Sequence, residues 1–129
     1  MQENDCKQTE LINAARQLIA ERFKPDYHEI GAALQTKSGQ VFSAIHLEAT
    51  VGRIAVCAEA IAIGMAAAVG DTEIEMIVAV NRLGQVVSPC GMCRELIADY
   101  APDAKVIVPG ETEPMLLAIS DLLPFKYHK

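Results

Sequence analysis

The chain of 129 residues carries 17 acidic against 11 basic residues, a net charge of −6. With a pI near 5.0 and no cluster of Lys and Arg, it argues against a nucleic-acid partner and favours a small neutral or cationic ligand. The length suits one domain over residues 1–129, and 51% hydrophobic residues with a mean hydropathy of +0.20 point to surface shared with another copy of the chain. No apolar run reaches the length of a membrane span and Met1 to Lys7 is polar without a signal core, so no membrane partner and a cytoplasmic location are expected.

In chain order, Thr9 is placed to cap a first helix whose Leu11, Ile12, Ala15, Leu18 and Ile19 repeat at three-and-four spacing, and Pro25 ends it. Apolar segments from Glu29 to Leu34 and from Val41 to Leu47, joined by Lys37-Ser38-Gly39-Gln40, read as a hairpin. A loop from Glu48 to Val56 leads to a second helix that begins at Cys57, runs to Val69 and is closed by Gly70. Its composition is apolar almost all round, which predicts burial on every side. Ile74 to Val80 reads as a buried strand, followed by a turn over Asn81 to Gly84 and an extended Gln85-Val86-Val87. After Pro89, Cys90 to Tyr100 forms a third helix. Lys105 to Val108 and Met115 to Ile119 are strands too close in sequence for a crossover, hence antiparallel, and Ser120 caps a last short turn. The pattern is that of one compact α/β domain with a mixed sheet.

The chemistry concentrates in Cys57-Ala58-Glu59 and Pro89-Cys90-Gly91-Met92-Cys93, each at a helix start. Cys90 and Cys93 are three apart, so both sulfurs face one side of a first helical turn, and Cys57 joins Glu59 in one site only from a cap position. Three thiolates form a zinc site with its fourth position open to water, and two helix N-termini offset the surplus negative charge. Glu59 is the candidate to shuttle the proton of that water. Two other readings stay open: a redox dithiol at Cys90 and Cys93, which leaves Cys57 and Glu59 unexplained, and a structural zinc with His46 or His28 as fourth ligand. Of the four cysteines, Cys6 alone lies outside the motifs.

These two motifs, with Gly31-Ala32-Ala33-Leu34 and Ser88 to Arg94, resemble the cytidine deaminase family, in the small-subunit group of cytidine and blasticidin-S deaminases. The resemblance runs from the first helix to Leu122-Leu123-Pro124. It implies a three-layer αβα fold with a mixed five-stranded sheet and Zn²⁺ held by Cys57, Cys90 and Cys93. It also implies hydrolytic deamination, in which water adds to C4 of a cytosine ring, Glu59 moves protons to N3 and the leaving amine, and a uracil product and ammonia depart. A homo-oligomer, a tetramer or a dimer, with sites at subunit junctions is implied as well.

Departures from the family pattern bear on the substrate. Where cytidine deaminases place an Asn and, two residues on, a Glu to hold the ribose, this chain has His46 and Glu48. The family's Arg after Cys-Ala-Glu is Ala60, which leaves Arg94, or else Arg53, to offset thiolate charge, and the Gln of the second motif is Glu95. The resemblance assigns substrate contacts to Ala58 and Ser88 beside His46 and Glu48, and Tyr127 falls where relatives carry a Phe that reaches a neighbouring subunit's pocket. The expected substrate is therefore cytidine or deoxycytidine, with blasticidin S or another amino-heterocycle as the alternative. A zinc-stabilised nucleoside-binding domain without turnover is the rival from another class.

Overall fold

The computed structural model describes residues 3–129, with nine regular elements in the order α1 (Glu3–Arg22), β1 (Ile30–Thr36), β2 (Val41–Ile45), α2 (Ala58–Ala68), β3 (Ile74–Asn81), β4 (Val86–Val87), α3 (Gly91–Tyr100), β5 (Lys105–Val108) and β6 (Met115–Ala118). Met1 and Gln2, part of the polar stretch without a signal core, lie outside the described residues. Among the described residues no helix is long and apolar enough to cross a membrane.

The sheet runs β2-β1-β3-β5-β6, with β1 antiparallel to both β2 and β3, β3 parallel to β5, and β5 antiparallel to β6. The five expected strands are joined by a sixth, because Val86 and Val87 pair antiparallel with Val80 and Ala79. Strand alternation divides the core. Ala33, Met76, Val78, Val80 and Ile107 face Leu11, Ile12, Ala15 and Ile19 of α1. Leu34, Ile77, Val106 and Val108 turn to the other side, against Ala62, Ile63 and Ala66 of α2 and Ile97 of α3. Helices thus cover both faces in the expected αβα layering. Each fully buried Leu or Ile contributes about 1.5–3 kcal/mol, so packing on α1 outweighs the weak intrinsic stability of its polar first turns.

Two expectations are corrected here. The first helix begins at Glu3, with Thr9 inside it, where the Thr9 hydroxyl donates to the Asp5 carbonyl at 2.9 Å. A threonine one turn along an existing helix satisfies itself in this way and caps nothing. The second helix, expected to be buried all round, leaves Gly64, Met65, Ala67, Ala68 and Val69 exposed, with Met65 at 41% and Val69 at 59%. Its apolar composition exceeds what one sheet face can cover.

Close approach at one end of the sheet builds the site. Gly31 lies under α1, where a Cβ would meet the Ala15 carbonyl at 2.8 Å and Ile19 Cβ at 2.9 Å. On the other face Ala32, Ala58 and Ala79 are buried together, and their small side chains let the start of α2 settle onto β1 and β3. That is the end where β1 begins and β3 ends, Ile30 pairing with Asn81.

Candidate active site

Cys57 is the N-cap of α2, with extended backbone at φ −65° and ψ 147°, and Cys90 is the N-cap of α3, at φ −67° and ψ 169°. Cys57 and Cys90 thus present their thiols at two helix N-termini, where first-turn N–H groups lack intrahelical partners. Cys93 follows in the first turn of α3 and is buried. The three Sγ atoms lie within 4.8 Å of one another, and those of Cys57 and Cys90 are 3.6 Å apart. Tetrahedral zinc with bonds of about 2.3 Å sets its sulfurs roughly 3.8 Å apart, so the donor set fits that ion. This is the one such cluster of three or more potential ligands among the described residues.

Burial opposes ionisation at two of the three thiols. Burial pushes the Cys93 thiol far up, with the Glu59 charge adding to it, and burial also raises Cys57. At Cys90 burial works the same way, but hydrogen bonds from the Cys93 backbone N–H and from the neighbouring thiols outweigh it, and the thiol titrates low. Glu59, in the first turn of α2, is 5% exposed, and burial holds its carboxyl above the usual 4.5. Its own backbone N–H and the Cys93 thiol pull the other way without prevailing.

Cys57 and Cys90 of the cluster and Glu59 line a cavity of about 430 Å³, with Ile30, Ala55, Val56 and Val87 as apolar wall and His46, Glu48, Ala58 and Ser88 beside them. The sequence-predicted contacts His46, Glu48, Ala58 and Ser88 are therefore gathered around Glu59. Ile30, Val56 and Val87 were not singled out in the sequence, since nothing local marks an aliphatic residue as lining a site. Fully buried Ala58 forms part of the cavity wall, while Tyr127 is 77% exposed in the C-terminal tail and is not among the lining residues of its own chain's cavity.

Neither histidine joins the thiol cluster. His46 Nδ1 accepts from the Glu29 and Ile30 backbone N–H groups, and His28 Nδ1 donates to the His46 carbonyl at 2.9 Å. Arg94 donates from Nε to the Pro89 carbonyl at 3.0 Å and from Nη1 to the Leu122 carbonyl at 3.1 Å, bracing the Cys90 loop against the C-terminal segment. Arg53 is exposed on a 3-10 turn of the loop before Cys57.

A family model for the cytidine and deoxycytidylate deaminase zinc-binding region matches residues 6–109, a span that contains all three clustered cysteines and Glu59. The chain belongs to this deaminase family. It is 45% identical over 126 residues to a blasticidin-S deaminase of Bacillus cereus, covering 92% of this chain and 90% of the relative. A cytidine deaminase of Halalkalibacterium halodurans is 32% identical over 98 residues, covering 74% of each chain. The crystal structure of the cytidine deaminase from Burkholderia pseudomallei matches with a TM-score of 0.78 at 28% identity, covering 98% of this chain and 100% of that one. That from Mycobacterium tuberculosis matches in fold, with a TM-score of 0.82 at 22% identity over 95% and 98% of the two chains. As a member of the family, this protein is a hydrolytic deaminase with zinc as its cofactor, and Cys57, Cys90 and Cys93 form the cluster that suits the ion.

Proposed function

We propose that this deaminase replaces the 4-amino group of a cytosine nucleoside, or of a close analogue, with oxygen, giving the uracil product and ammonia. The observation that carries the reading is a buried carboxyl, Glu59, that lines one cavity with Cys57 and Cys90 of a three-thiol cluster and with apolar side chains. Ile30, Val56 and Val87 provide an apolar lining that suits a pyrimidine ring. When bound by Cys57, Cys90 and Cys93, zinc supplies Lewis-acid activation of a water molecule. Glu59 takes one proton of the attacking water and delivers it to ring N3, then carries the second, from the new C4 hydroxyl, to the 4-amino nitrogen, which leaves as ammonia while C4=O forms. Burial suits Glu59 to this, because desolvation raises its pKa and makes the carboxylate a better proton acceptor than an exposed one.

Of the two substrate classes the sequence leaves, the 45% likeness to a blasticidin-S deaminase over nearly the whole chain favours a nucleoside of the blasticidin S kind over cytidine or deoxycytidine. The acidic chain and the Glu48 and Glu59 carboxyls at the cavity agree with a neutral or cationic substrate and no nucleic acid. We read the protein as one cytoplasmic domain that works as a homo-oligomer, a tetramer or a dimer. The exposed apolar face of α2 and the exposed Leu47, Val51 and Ile54 beside the site support this, as does a Tyr127 free to reach a neighbour's cavity. Arg94 supports the site through the Cys90 loop it braces.

Ammonia release from zinc-loaded protein on cytidine, deoxycytidine, blasticidin S, cytosine and adenine derivatives tests the reading. Turnover of blasticidin S above cytidine is the expected result. No turnover of any of them would overturn it in favour of a zinc-stabilised nucleoside-binding domain.

A further inference from the structure

We propose that Arg16, Arg82 and Gln85 form a phosphate-binding site at the β3–β4 turn, apart from the catalytic cavity and independent of the deamination reading. With Ala20, Leu83 and Gly84 they line a surface hollow of about 360 Å³. It shares no residue with the cavity that Glu59 lines. A neighbouring hollow, lined in part by Glu29, shares Arg82 and Leu83 with it and shares Ile30 and His46 with the catalytic cavity.

The free polar groups of the hollow are all donors. Asn81 Oδ1 accepts from the Leu83 and Gln85 backbone N–H groups at 3.0 Å each, which fixes the orientation of that amide. Asn81 Nδ2 is then the donor to Gln85 Oε1 at 2.9 Å, so the oxygen of Gln85 is used and its Nε2 is left to donate. Arg16 gives its Nε–H to the Gly84 carbonyl at 2.7 Å and keeps both Nη groups. Arg82 lies over the Phe23 ring, 5.8 Å from its centroid, a contact that uses a face of the guanidinium and none of its N–H groups. Among the described residues neither guanidinium makes an ion pair, and no carboxylate lines the hollow. In a chain with 17 acidic residues, two arginines left unpaired on one hollow suit an anion from outside the chain.

The turn holds these donors in place. Gly84 is left-handed at φ +79°, and a Cβ there would lie 3.4 Å from Arg16 Cγ and 3.5 Å from Nε, so the Arg16 side chain rests against the turn. Two guanidiniums and one amide make three donor groups, which match the three terminal oxygens of a phosphate monoester and equally free phosphate. A carboxylate has two oxygens and leaves one donor group unused. From the turn, Val86 and Val87 of β4 lead directly to Ser88 of the catalytic cavity.

The test titrates the full zinc-loaded chain, at constant ionic strength, with inorganic phosphate, ribose 5-phosphate and acetate. It is followed by ¹⁵N NMR of the backbone amides, the Arg Nε–H groups and the Gln side chains. Phosphate should give saturable shifts confined to the Arg16 and Arg82 Nε–H groups, Gly84 and the Gln85 side chain, and acetate should bind about tenfold more weakly. Arg82→Gln removes no hydrogen bond of the fold, so it should melt near wild type and weaken phosphate about tenfold, with Arg16→Gln weakening it as much. Tighter binding of ribose 5-phosphate than of inorganic phosphate identifies a sugar phosphate as the ligand, and equal binding identifies free phosphate. Shifts that do not saturate, that spread over lysines and arginines elsewhere, that centre on Ser88 and Glu59, or that persist in both variants overturn the proposal.

Discussion

Two carboxylates at opposite ends of α2 are set in opposite ways. Asp71, just past the C-terminal end, is half-buried and uses Oδ2 to accept from Ser38 Oγ at 2.7 Å, Thr36 Oγ1 at 2.8 Å and Gln40 Nε2 at 2.6 Å. The Ser38 and Thr36 hydroxyls, with a lesser part from the Gln40 amide, hold its carboxyl below the usual range against the opposing effect of burial. Glu59, in the first turn, is buried with few donors and is held above that range. Of two carboxyls near the two ends of one helix, hydrogen bonds favour the charge of one and burial disfavours the charge of the other. Asp71 ties the β1–β2 turn to α2; three neutral donors on one carboxylate oxygen make a structural clamp. Desolvation with sparse hydrogen bonding is the setting for proton transfer.

The sharpest way to break this contrast is to neutralise each carboxylate in turn. Glu59→Gln should retain fold and zinc while kcat on the preferred substrate falls by about 10²–10⁴, the usual worth of a positioned proton shuttle, and Asp71→Asn should leave kcat unchanged. Near-wild-type turnover in Glu59→Gln would end the proton-shuttle reading. The next largest effect concerns what assembles each end. Chelation of zinc, or Cys57→Ala, should abolish stoichiometric metal and raise amide exchange at the starts of α2 and α3, with the β1–β2 turn still protected. Metal analysis with exchange mass spectrometry checks both halves, and undiminished zinc in Cys57→Ala would remove that thiol from the ligand set.

A smaller effect is expected at the clamp. Asp71→Ala takes the shortest acceptor from the fully buried Thr36 hydroxyl and leaves it Ser38 Oγ at 3.0 Å and the Gln40 carbonyl at 3.5 Å, so the melting temperature should drop by a few degrees while KM and kcat hold. The smallest effect is in pH dependence. Asp71 titrates below its ordinary 3.8, so its stabilising contribution is complete above that value and fades as pH falls through the folded value. Glu59 has the opposite sign in the zinc-free protein: its folded value lies above the ordinary 4.5, so its contribution is complete below 4.5 and is lost as pH rises through the folded value. Urea unfolding from acid to neutral pH should flatten the first dependence in Asp71→Asn and the second in Glu59→Gln.

The sequence by itself determined the metal cluster, the helix starts that present it and the candidate proton carrier. Their geometry is local: a three-residue step within one helical turn and a cap residue ahead of another need no distant partner. The hairpin and the antiparallel last pair were legible for the same reason, since short connections leave few arrangements. Tertiary structure alone decided the rest. The cavity wall depends on Ile30 lying opposite Asn81, a pairing across about fifty residues that no local pattern specifies. Asp71 reads in sequence as one more acidic residue after a helix-ending glycine, and only the fold brings Thr36, Ser38 and Gln40 onto it. Arg94 stands next to a zinc-motif cysteine in sequence, yet its guanidinium is committed to the Pro89 and Leu122 carbonyls. His46 could be named as a candidate contact, but the direction in which it donates came from two amides at the head of a neighbouring strand. Ligand identity follows from residue type and short spacing. The polarity of a side chain's free edge follows from what occupies its other edge, and that is settled only when strands from distant parts of the chain meet.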